Sequence, residues 1–294
     1  MRHMRSVHPD FRIDSHGGGA DTISWRGRPV GRINPLETLA PATTRDCFIV
    51  GTGPSLNDID FAALRGRTCI GVNGSVLKSE DYSVPFRSHV ISDRHFFNDR
   101  FELVRKALES GAECIFSFRG LSVVCEREPA LLHDARVFLL NEITARYGEP
   151  KPGTEAFDAA AERDPDLVLH PRARPSEGRV GFSRDIRKGV FTGQTIVFSA
   201  LQLAVWLGYR RVFILGMDLG GAGGRFYEAG SQAAPMRLDR DYEAYIRPAF
   251  EVAASLLGKL GVEIYNLSER SRLPSEIVPK LAFEQALEMS RGRA

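Results

Sequence analysis

The chain has few cysteines, no excess of one charge and no long apolar run, and each absence excludes a class of protein. Its 4 cysteines show neither a CxxC pair nor a Cys/His zinc spacing, so a reduced, cytoplasmic protein is expected. The 39 basic and 37 acidic residues leave a net charge of +2, which gives nucleic-acid binding no electrostatic support. Ser199 and Gln202 interrupt the longest apolar segment, residues 196–207, which is too short for a membrane span. Any membrane association is expected to be peripheral, at the inner face.

Strand-like and helix-like segments alternate between residues 45 and 280. This alternation predicts an α/β fold with a single Rossmann-like, doubly wound, mostly parallel sheet. Residues 141–190 are rich in proline, glycine and charge, and we expect a structureless, lid-like insertion there. Residues 1–44 are expected to form a partly disordered N-terminal extension, whose first 22 residues read as a frayed leader without the apolar core of a signal peptide. Residues 281–294 are expected to be a C-terminal tail.

A glycine-rich turn follows the apolar strand that begins at Cys47. Gly51 and Gly53 allow a tight turn and close approach of the backbone, and the helix start after them points N–H groups at one spot. This pattern predicts a nucleotide phosphate site. It does not complete the dinucleotide fingerprint, because Leu56 stands where the third glycine is required.

The second strand leads into Asn73 rather than into the acidic residue typical of dinucleotide sites. An asparagine amide can bind a sugar hydroxyl or a pyrimidine edge, but it lacks the carboxylate favoured for an adenosine ribose. NAD and FAD are therefore disfavoured as ligands.

A second cluster of polar and small residues lies towards the C-terminus. Thr192 and Gly193 precede a helix, and Gly216 and Asp218 follow a buried strand. In open α/β sheets, ligands bind beyond the carboxyl ends of the strands. We therefore expect these residues to form a cleft with Gly53.

These motifs together resemble the bacterial sialyltransferases of glycosyltransferase family 42. The chain also resembles two relatives of these sialyltransferases, the motility-accessory flagellin glycosyltransferases and the hydroxymethylpterin diphosphokinase-like domain. The resemblance extends over roughly residues 45–270, with the middle insertion poorly matched. It rests on five segments in order: Gly51-Thr52-Gly53-Pro54-Ser55-Leu56, Val72-Asn73, Thr192-Gly193, Leu203-Ala204-Val205-Trp206-Leu207-Gly208-Tyr209 and Gly216-Met217-Asp218-Leu219.

The resemblance implies a donor pocket for a CMP-activated sugar. The residues that it places there are Gly51, Thr52, Gly53, Ser55, Asn73, Thr192, Gly193, Gly216 and Asp218. Asp93 falls near the position at which the family has an asparagine that contacts the donor, but the residue type differs. Tyr227 matches the family tyrosines that stabilise the departing phosphate. Arg184, Arg187 and Lys188 are further candidates to face the donor's carboxylate and phosphate.

The catalytic base is the point at which this chain departs from the family. The family's histidine is absent from residues 228–247, where Asp239, Asp241 and Glu243 offer carboxylates instead. His95, which follows a strand end, and His170, in the insertion, are the other candidates for the base.

The resemblance implies inverting, metal-independent transfer of a nonulosonic sugar from CMP to a glycan or glycoconjugate hydroxyl. No cofactor is expected beyond the donor substrate, and an oligomer is compatible with the sequence. One alternative is a Mg-dependent ATP pyrophosphokinase of the hydroxymethylpterin diphosphokinase-like type, with Asp93 and Asp218 as metal ligands. A non-catalytic nucleotide-binding module is another.

Overall fold

The computed structural model describes residues 4, 7–173, 179–220, 224–228 and 238–291. The strands in these ranges are β1 (Phe11–Asp14), β2 (Asp21–Trp25), β3 (Arg28–Asn34), β4 (Asp46–Val50), β5 (Cys69–Val72), β6 (Ser88–Ile91), β7 (Glu113–Phe116), β8 (Val137–Leu139), β9 (Leu167–Leu169), β10 (Gly181–Ser183), β11 (Arg211–Leu215) and β12 (Glu263–Asn266). The α-helices are α1 (Val76–Tyr82), α2 (Arg94–Asp99), α3 (Phe101–Glu109), α4 (Phe118–Arg127), α5 (Thr154–Arg163), α6 (Ile196–Trp206), α7 (Leu238–Asp241), α8 (Arg247–Lys259) and α9 (Phe283–Arg291).

In the described part of the chain, ten strands form one sheet in the order β1-β2-β3-β8-β7-β6-β5-β4-β11-β12, and β9 pairs with β10 separately. All neighbours from β3 to β12 are parallel. From β4, strands β5 to β8 are added one after another in one direction along the sheet. Strands β11 and β12 are added in the opposite direction, on the other edge of β4. The order therefore reverses between β4 and β11, which is the switch point where open α/β sheets bind ligands. The predicted mostly parallel, doubly wound sheet is confirmed.

Successive residues of the central strands face opposite sides of the sheet. In β4, Cys47 and Ile49 join one buried cluster, while Phe48 and Val50 join another. Helices α5, α6 and α8 cover the first side, and α2, α3, α4 and α9 cover the second. Burial on both sides explains why these strands are continuously apolar in sequence.

Helix α6 lies under the insertion and is joined to it by a buried amide. Gln202 is fully buried, and its Nε2 donates to the carbonyl oxygen of Phe191 at 2.7 Å. Its Oε1 accepts from the backbone N–H groups of Phe191 and Ser183 at 3.1 and 3.0 Å. The polar residue that interrupts the apolar run therefore fixes the chain just before Thr192.

Both ends of the chain carry secondary structure that the sequence did not predict. Residues 11–34 form β1 to β3, and Ile33 of β3 lies opposite Val137 in the main sheet. The expectation of a frayed leader is therefore wrong from residue 11 onward. Towards the C-terminus, α9 packs Phe283 and Leu287 into the core, where a tail was expected.

The insertion at residues 141–190 also has structure of its own. It contains α5 and the antiparallel pair of β9 with β10, and the ring of Phe182 lies 5.8 Å from the ring of Phe198 in α6. Phe157 of α5 is buried in the same cluster. The expectation of a structureless segment is wrong for its described residues, because apolar side chains between the prolines pack on the core.

All four cysteines are free and buried. Burial raises the pKa of the thiols of Cys69, Cys114 and Cys125 to about 12, and it raises the pKa of Cys47 well above its ordinary value. These residues act as small apolar side chains of the core.

Every helix in the described part of the chain is too short or too polar to cross a membrane.

Candidate functional site

The switch point brings together the turns that follow β4 and β11. Val50 lies opposite Leu215, so the two strands end at the same level. The backbone N–H of Gly51 donates to the carbonyl of Leu215, and the N–H of Gly53 donates to the carbonyl of Gly216, each at 2.8 Å. The two predicted turns are therefore neighbours.

This close approach explains the glycines. A Cβ on Gly51 would lie 2.6 Å from the carbonyl oxygen of Gly216, and a Cβ on Gly53 would lie 2.8 Å from the same oxygen. A Cβ on Gly53 would also collide with the carboxylate of Asp218. Gly216 itself has φ +64°, a conformation that side chains disfavour.

Asp218 is buried and serves as an acceptor within the protein. Its Oδ2 accepts from the backbone N–H and the Oγ of Ser55, at 3.2 and 3.0 Å. The Oγ of Ser268 lies 3.1 Å from the Oγ of Ser55 and accepts from the N–H of Met217 at 2.9 Å. Asp218 and Ser55, both predicted to bind the donor, thus also brace the turn.

The first turn differs from the prediction in one respect. The residues after Gly53 form only a short 3-10 turn, Pro54–Asn57, and no α-helix begins there. The expected helix dipole at this turn is therefore absent from the described structure of this segment.

A longer helix begins at the second cluster of the sequence. Thr195 precedes the first residue of α6 in extended conformation, and its side chain makes no capping hydrogen bond. Gly193 has φ +51° and lies against the ring of Phe198. Since α6 connects the insertion to β11, its N-terminus lies at the carboxyl edge of the sheet and offers backbone N–H groups there.

Asn73, which follows β5, has an unusual conformation and an unused acceptor. Its φ is +48°, in the left-handed region. The side-chain Oδ1 is shielded from solvent and has no hydrogen-bond partner. Its carbonyl oxygen lies 2.7 Å from Nε2 of His89, a buried residue of β6.

Tyr227 lies over the same turn. The N–H of Phe226 donates to the carbonyl of Thr52 at 2.9 Å, and a Cβ on Gly74 would lie 2.8 Å from the hydroxyl oxygen of Tyr227. That hydroxyl is buried and has no partner, and burial raises the pKa of Tyr227 to about 12. It therefore stays protonated at neutral pH and can donate a hydrogen bond.

Glu228 anchors the segment that carries Tyr227. Its carboxylate, 2% exposed, pairs with Arg225 at 2.5 Å and with Arg100, at the end of α2, at 3.2 Å. Burial raises the pKa of Glu228, but the hydrogen bonds and charges of the two arginines outweigh it and lower the pKa below its ordinary value. The segment 224–228 is thus tied both to the first turn and to α2.

The candidates for the catalytic base have different surroundings. Asp93 and His95 are exposed after β6, and Oδ1 of Asp93 accepts from the N–H of His95 as the cap of α2. Asp241 is buried beside Arg240, whose Nε donates to it at 2.7 Å. Asp239 lies in α7, and its side chain is outside the described part of the structure. His170 lies 3.3 Å from Glu251.

Of the basic residues before Thr192, Lys188 and Arg187 pair with acidic side chains of the protein, and Arg184 is exposed and donates to the carbonyl of Pro165 at 3.5 Å. Lys188 lies 2.7 Å from Asp164 and 2.8 Å from Asp166. Arg187 pairs with Asp185 at 2.6 Å. The insertion therefore already supplies carboxylates to Lys188 and Arg187.

Three residues of the site were not found by sequence reasoning: His89, Glu228 and Ser268. Gly71 was the available signal for His89. A Cβ there would lie 2.8 Å from Nδ1 of His89, so a glycine inside a strand marked the close approach of another side chain.

The fold and the site define a doubly wound α/β protein with a candidate ligand site at its switch point. The profile of the family described as "3-deoxy-D-manno-octulosonic acid transferase WaaZ" matches residues 34–284, and the chain belongs to this family. It is therefore a glycosyltransferase, which confirms the predicted class of enzyme. This result does not favour the pyrophosphokinase alternative.

Two curated relatives match most of the chain. A probable 3-deoxy-manno-octulosonic acid transferase of Escherichia coli (strain K12) is 28% identical over 260 residues, which cover 84% of this chain and 88% of that protein. A protein with the same description from Salmonella typhimurium (strain LT2) is 27% identical over 255 residues, covering 85% and 91%.

Solved structures of two of the three kinds of protein named by the sequence resemblance are also similar. The MAf glycosyltransferase from Magnetospirillum magneticum AMB-1 has a TM-score of 0.48 and 14% identity, covering 87% of this chain but only 35% of that one. The sialyltransferase CstII from Campylobacter jejuni, in complex with a substrate analogue, CMP-3FNeuAc, has a TM-score of 0.41 and 14% identity, covering 81% and 86%. The class of this enzyme rests on the family match.

Proposed function

We propose that this glycosyltransferase transfers a 3-deoxy-octulosonic acid from a CMP-activated donor to a hydroxyl group of a glycan. The sugar class follows the description of the family and of the two curated relatives. It replaces the predicted nonulosonic sugar, a nine-carbon 2-keto acid, with an eight-carbon 2-keto acid. The observation that carries the proposal is the pair of buried, unpartnered oxygen atoms at the switch-point edge, Oδ1 of Asn73 and the hydroxyl of Tyr227.

These two atoms suit the two ends of a cytidine monophosphate. Oδ1 of Asn73 accepts only, so it fits a donor such as the exocyclic amino group of cytosine or a ribose hydroxyl. The protonated hydroxyl of Tyr227 can donate to the phosphate as it departs. Both atoms are shielded from solvent, so we expect the segment 224–228 to shift as the donor enters.

The reaction exchanges one bond for another at the anomeric carbon. The acceptor oxygen bonds to C2 of the sugar as the bond from C2 to the phosphate oxygen breaks, through a transition state with oxocarbenium character. The acceptor's proton passes to a base, for which Asp239, Asp241 and His95 remain the proposed residues. CMP leaves with the bonding electrons, and attack from the opposite face inverts the configuration.

Metal independence is part of the proposal. The leaving group is a single phosphate, and the N–H groups at the start of α6 together with Tyr227 can stabilise its charge. We expect CMP binding by titration calorimetry, and CMP release from the activated octulosonic acid, to be unchanged in EDTA. Binding of ATP with Mg²⁺ but not of CMP would contradict the proposal.

A further inference from the structure

His89 is a buried histidine that neither the sequence motifs nor the proposed chemistry uses. It lies on β6 opposite Gly71 of β5 and is 1% exposed. Its Nε2 is 2.7 Å from the carbonyl oxygen of Asn73. A carbonyl oxygen only accepts, so Nε2 carries the hydrogen and donates it.

The imidazole ring is held from both sides. Its ring stacks on Phe86, with centroids 5.9 Å apart and planes inclined by 20°. A Cβ on Gly71 would lie 2.8 Å from Nδ1 of His89, so the ring fills the space that the glycine leaves. Nδ1 is buried without a hydrogen-bond partner, so the ring is hydrogen-bonded through Nε2 to Asn73. Burial lowers the pKa of His89 to about 4, so the ring is neutral at physiological pH.

The acceptor of this bond is a residue with a left-handed backbone conformation. Left-handed φ values are uncommon for residues with side chains, and Asn73 has φ +48°. The turn is closed on its other side by Ser75, whose Oγ accepts from the N–H of Val72 at 2.8 Å. Fixing the carbonyl of Asn73 fixes the plane of the peptide and hence the direction in which its side chain leaves the backbone.

We propose that His89 is a positioning residue of the donor site. By donating to the carbonyl of Asn73, it holds that residue in the left-handed conformation in which Oδ1 has no protein partner and is reserved for an N–H or O–H group of the nucleotide. This inference rests on the proposed function, because it assigns Asn73 to the nucleotide.

The test compares two amide substitutions that differ only in reach. In His89→Gln, the amide nitrogen can occupy the position of Nε2, whereas in His89→Asn it reaches only the position of Nδ1. We expect His89→Asn to weaken CMP binding about tenfold, the usual effect of one lost hydrogen bond, and His89→Gln to stay close to the parent protein. Titration calorimetry on the full chain measures both. Equal affinities for His89→Asn and the parent protein would overturn the proposal.

A double substitution separates positioning from general damage to the fold. Asn73→Gly keeps the left-handed turn without strain and removes Oδ1. If His89 acts through Asn73, adding His89→Asn to Asn73→Gly causes no further loss of CMP affinity. An additive loss would show that His89 affects binding by another route, and the proposal would fail.

Hydrogen exchange of the ligand-free protein keeps the inference separate from the proposed function. We expect His89→Asn to speed exchange at the amides of Val72 and Val76, which are bonded within the turn, and His89→Gln to leave them protected. If the parent protein does not bind CMP, the proposed donor is wrong. The hydrogen-exchange result would still decide whether His89 holds the turn at Asn73. Unchanged exchange in both variants would overturn the inference whatever the ligand.

Discussion

Two neighbouring parts of the site differ in what their polar groups do. Where the turns after β4 and β11 meet, the Asp218 carboxylate accepts from Ser55 twice, and Ser268 completes the set. Where Tyr227 lies over the turn after β5, its hydroxyl and Oδ1 of Asn73 are buried without partners. The first part uses its polar groups within the protein, and the second holds them unused.

This difference separates polar groups that hold the fold together from polar groups that are available to a ligand. A buried polar group without a partner costs roughly 1–3 kcal/mol, so a fold retains it where something other than stability depends on it. We therefore infer that Asp218 and Ser55 shape the cleft, whereas Asn73 and Tyr227 bind in it.

Gly53→Ala should break the satisfied turn and have the largest effect. The new Cβ displaces Asp218 from Ser55 and crowds the carbonyl of Gly216. We expect a loss of roughly 3–5 kcal/mol in the free energy of unfolding, from overpacking plus lost hydrogen bonds to a charged group. Urea denaturation measures it. Gly258→Ala in α8 is the matched control, since its Cβ has open space and should not destabilise. Equal stabilities of the two variants would contradict this account.

His89, which donates to the carbonyl of Asn73, should make the stability of the protein depend on pH. Burial lowers the pKa of His89 from 6.5 to about 4, so between these values the unfolded chain binds a proton that the folded chain does not. We therefore expect the contribution of His89 to the free energy of unfolding to be full above pH 6.5 and to fall by about 3 kcal/mol as the pH approaches 4. Denaturation of the parent protein and of His89→Gln across this range isolates the contribution of His89. Parallel curves for the two proteins would show that His89 does not titrate in this way.

Two Tyr→Phe substitutions should act with opposite signs on stability. Tyr227→Phe removes a hydroxyl without a partner, so stability should hold or rise by about 1 kcal/mol, while kcat falls on the order of 100-fold. Tyr242→Phe removes a hydroxyl that donates to the carbonyl of Arg272 at 3.0 Å, so it should lower stability by about 1 kcal/mol. Thermal melts and CMP release test the pair. A destabilised Tyr227→Phe with full activity would reverse our assignment.

Lys188→Met should have the smallest effect. Because Lys188 is paired with Asp164 and Asp166 at the surface of the insertion, we expect little change in Tm and unchanged CMP affinity. A clear loss of donor affinity would show that this lysine leaves its partners to bind the donor, as the sequence first suggested.

The sequence predicted the parts of the fold that depend on local patterns. Continuous apolar strands with glycine turns at β4 and β11 predicted a parallel sheet and the residues at its edge, because turns after parallel strands share one edge. The insertion was misread since its structure comes from packing: Phe157 packs on the ring of Phe191, and Phe182 packs on the ring of Phe198 in α6.

The site was predicted less completely than the fold. His89 acts across strands on Asn73, and Glu228 joins Arg100, which is distant in sequence. Such contacts leave no spacing signal in a single chain. The short 3-10 turn after Gly53 was also beyond prediction, because Pro54 opens a 3-10 turn and an α-helix equally well.

The burial of the four native thiols makes this enzyme convenient for labelling. Thiol reagents attack the thiolate, and thiols with a pKa near 12 and no exposed surface supply almost none at neutral pH. A cysteine introduced on the exposed side of α8 or near Tyr227 would then be the reactive one without removal of the others. A single dye or spin label near Tyr227 would show whether the segment 224–228 moves when CMP is added.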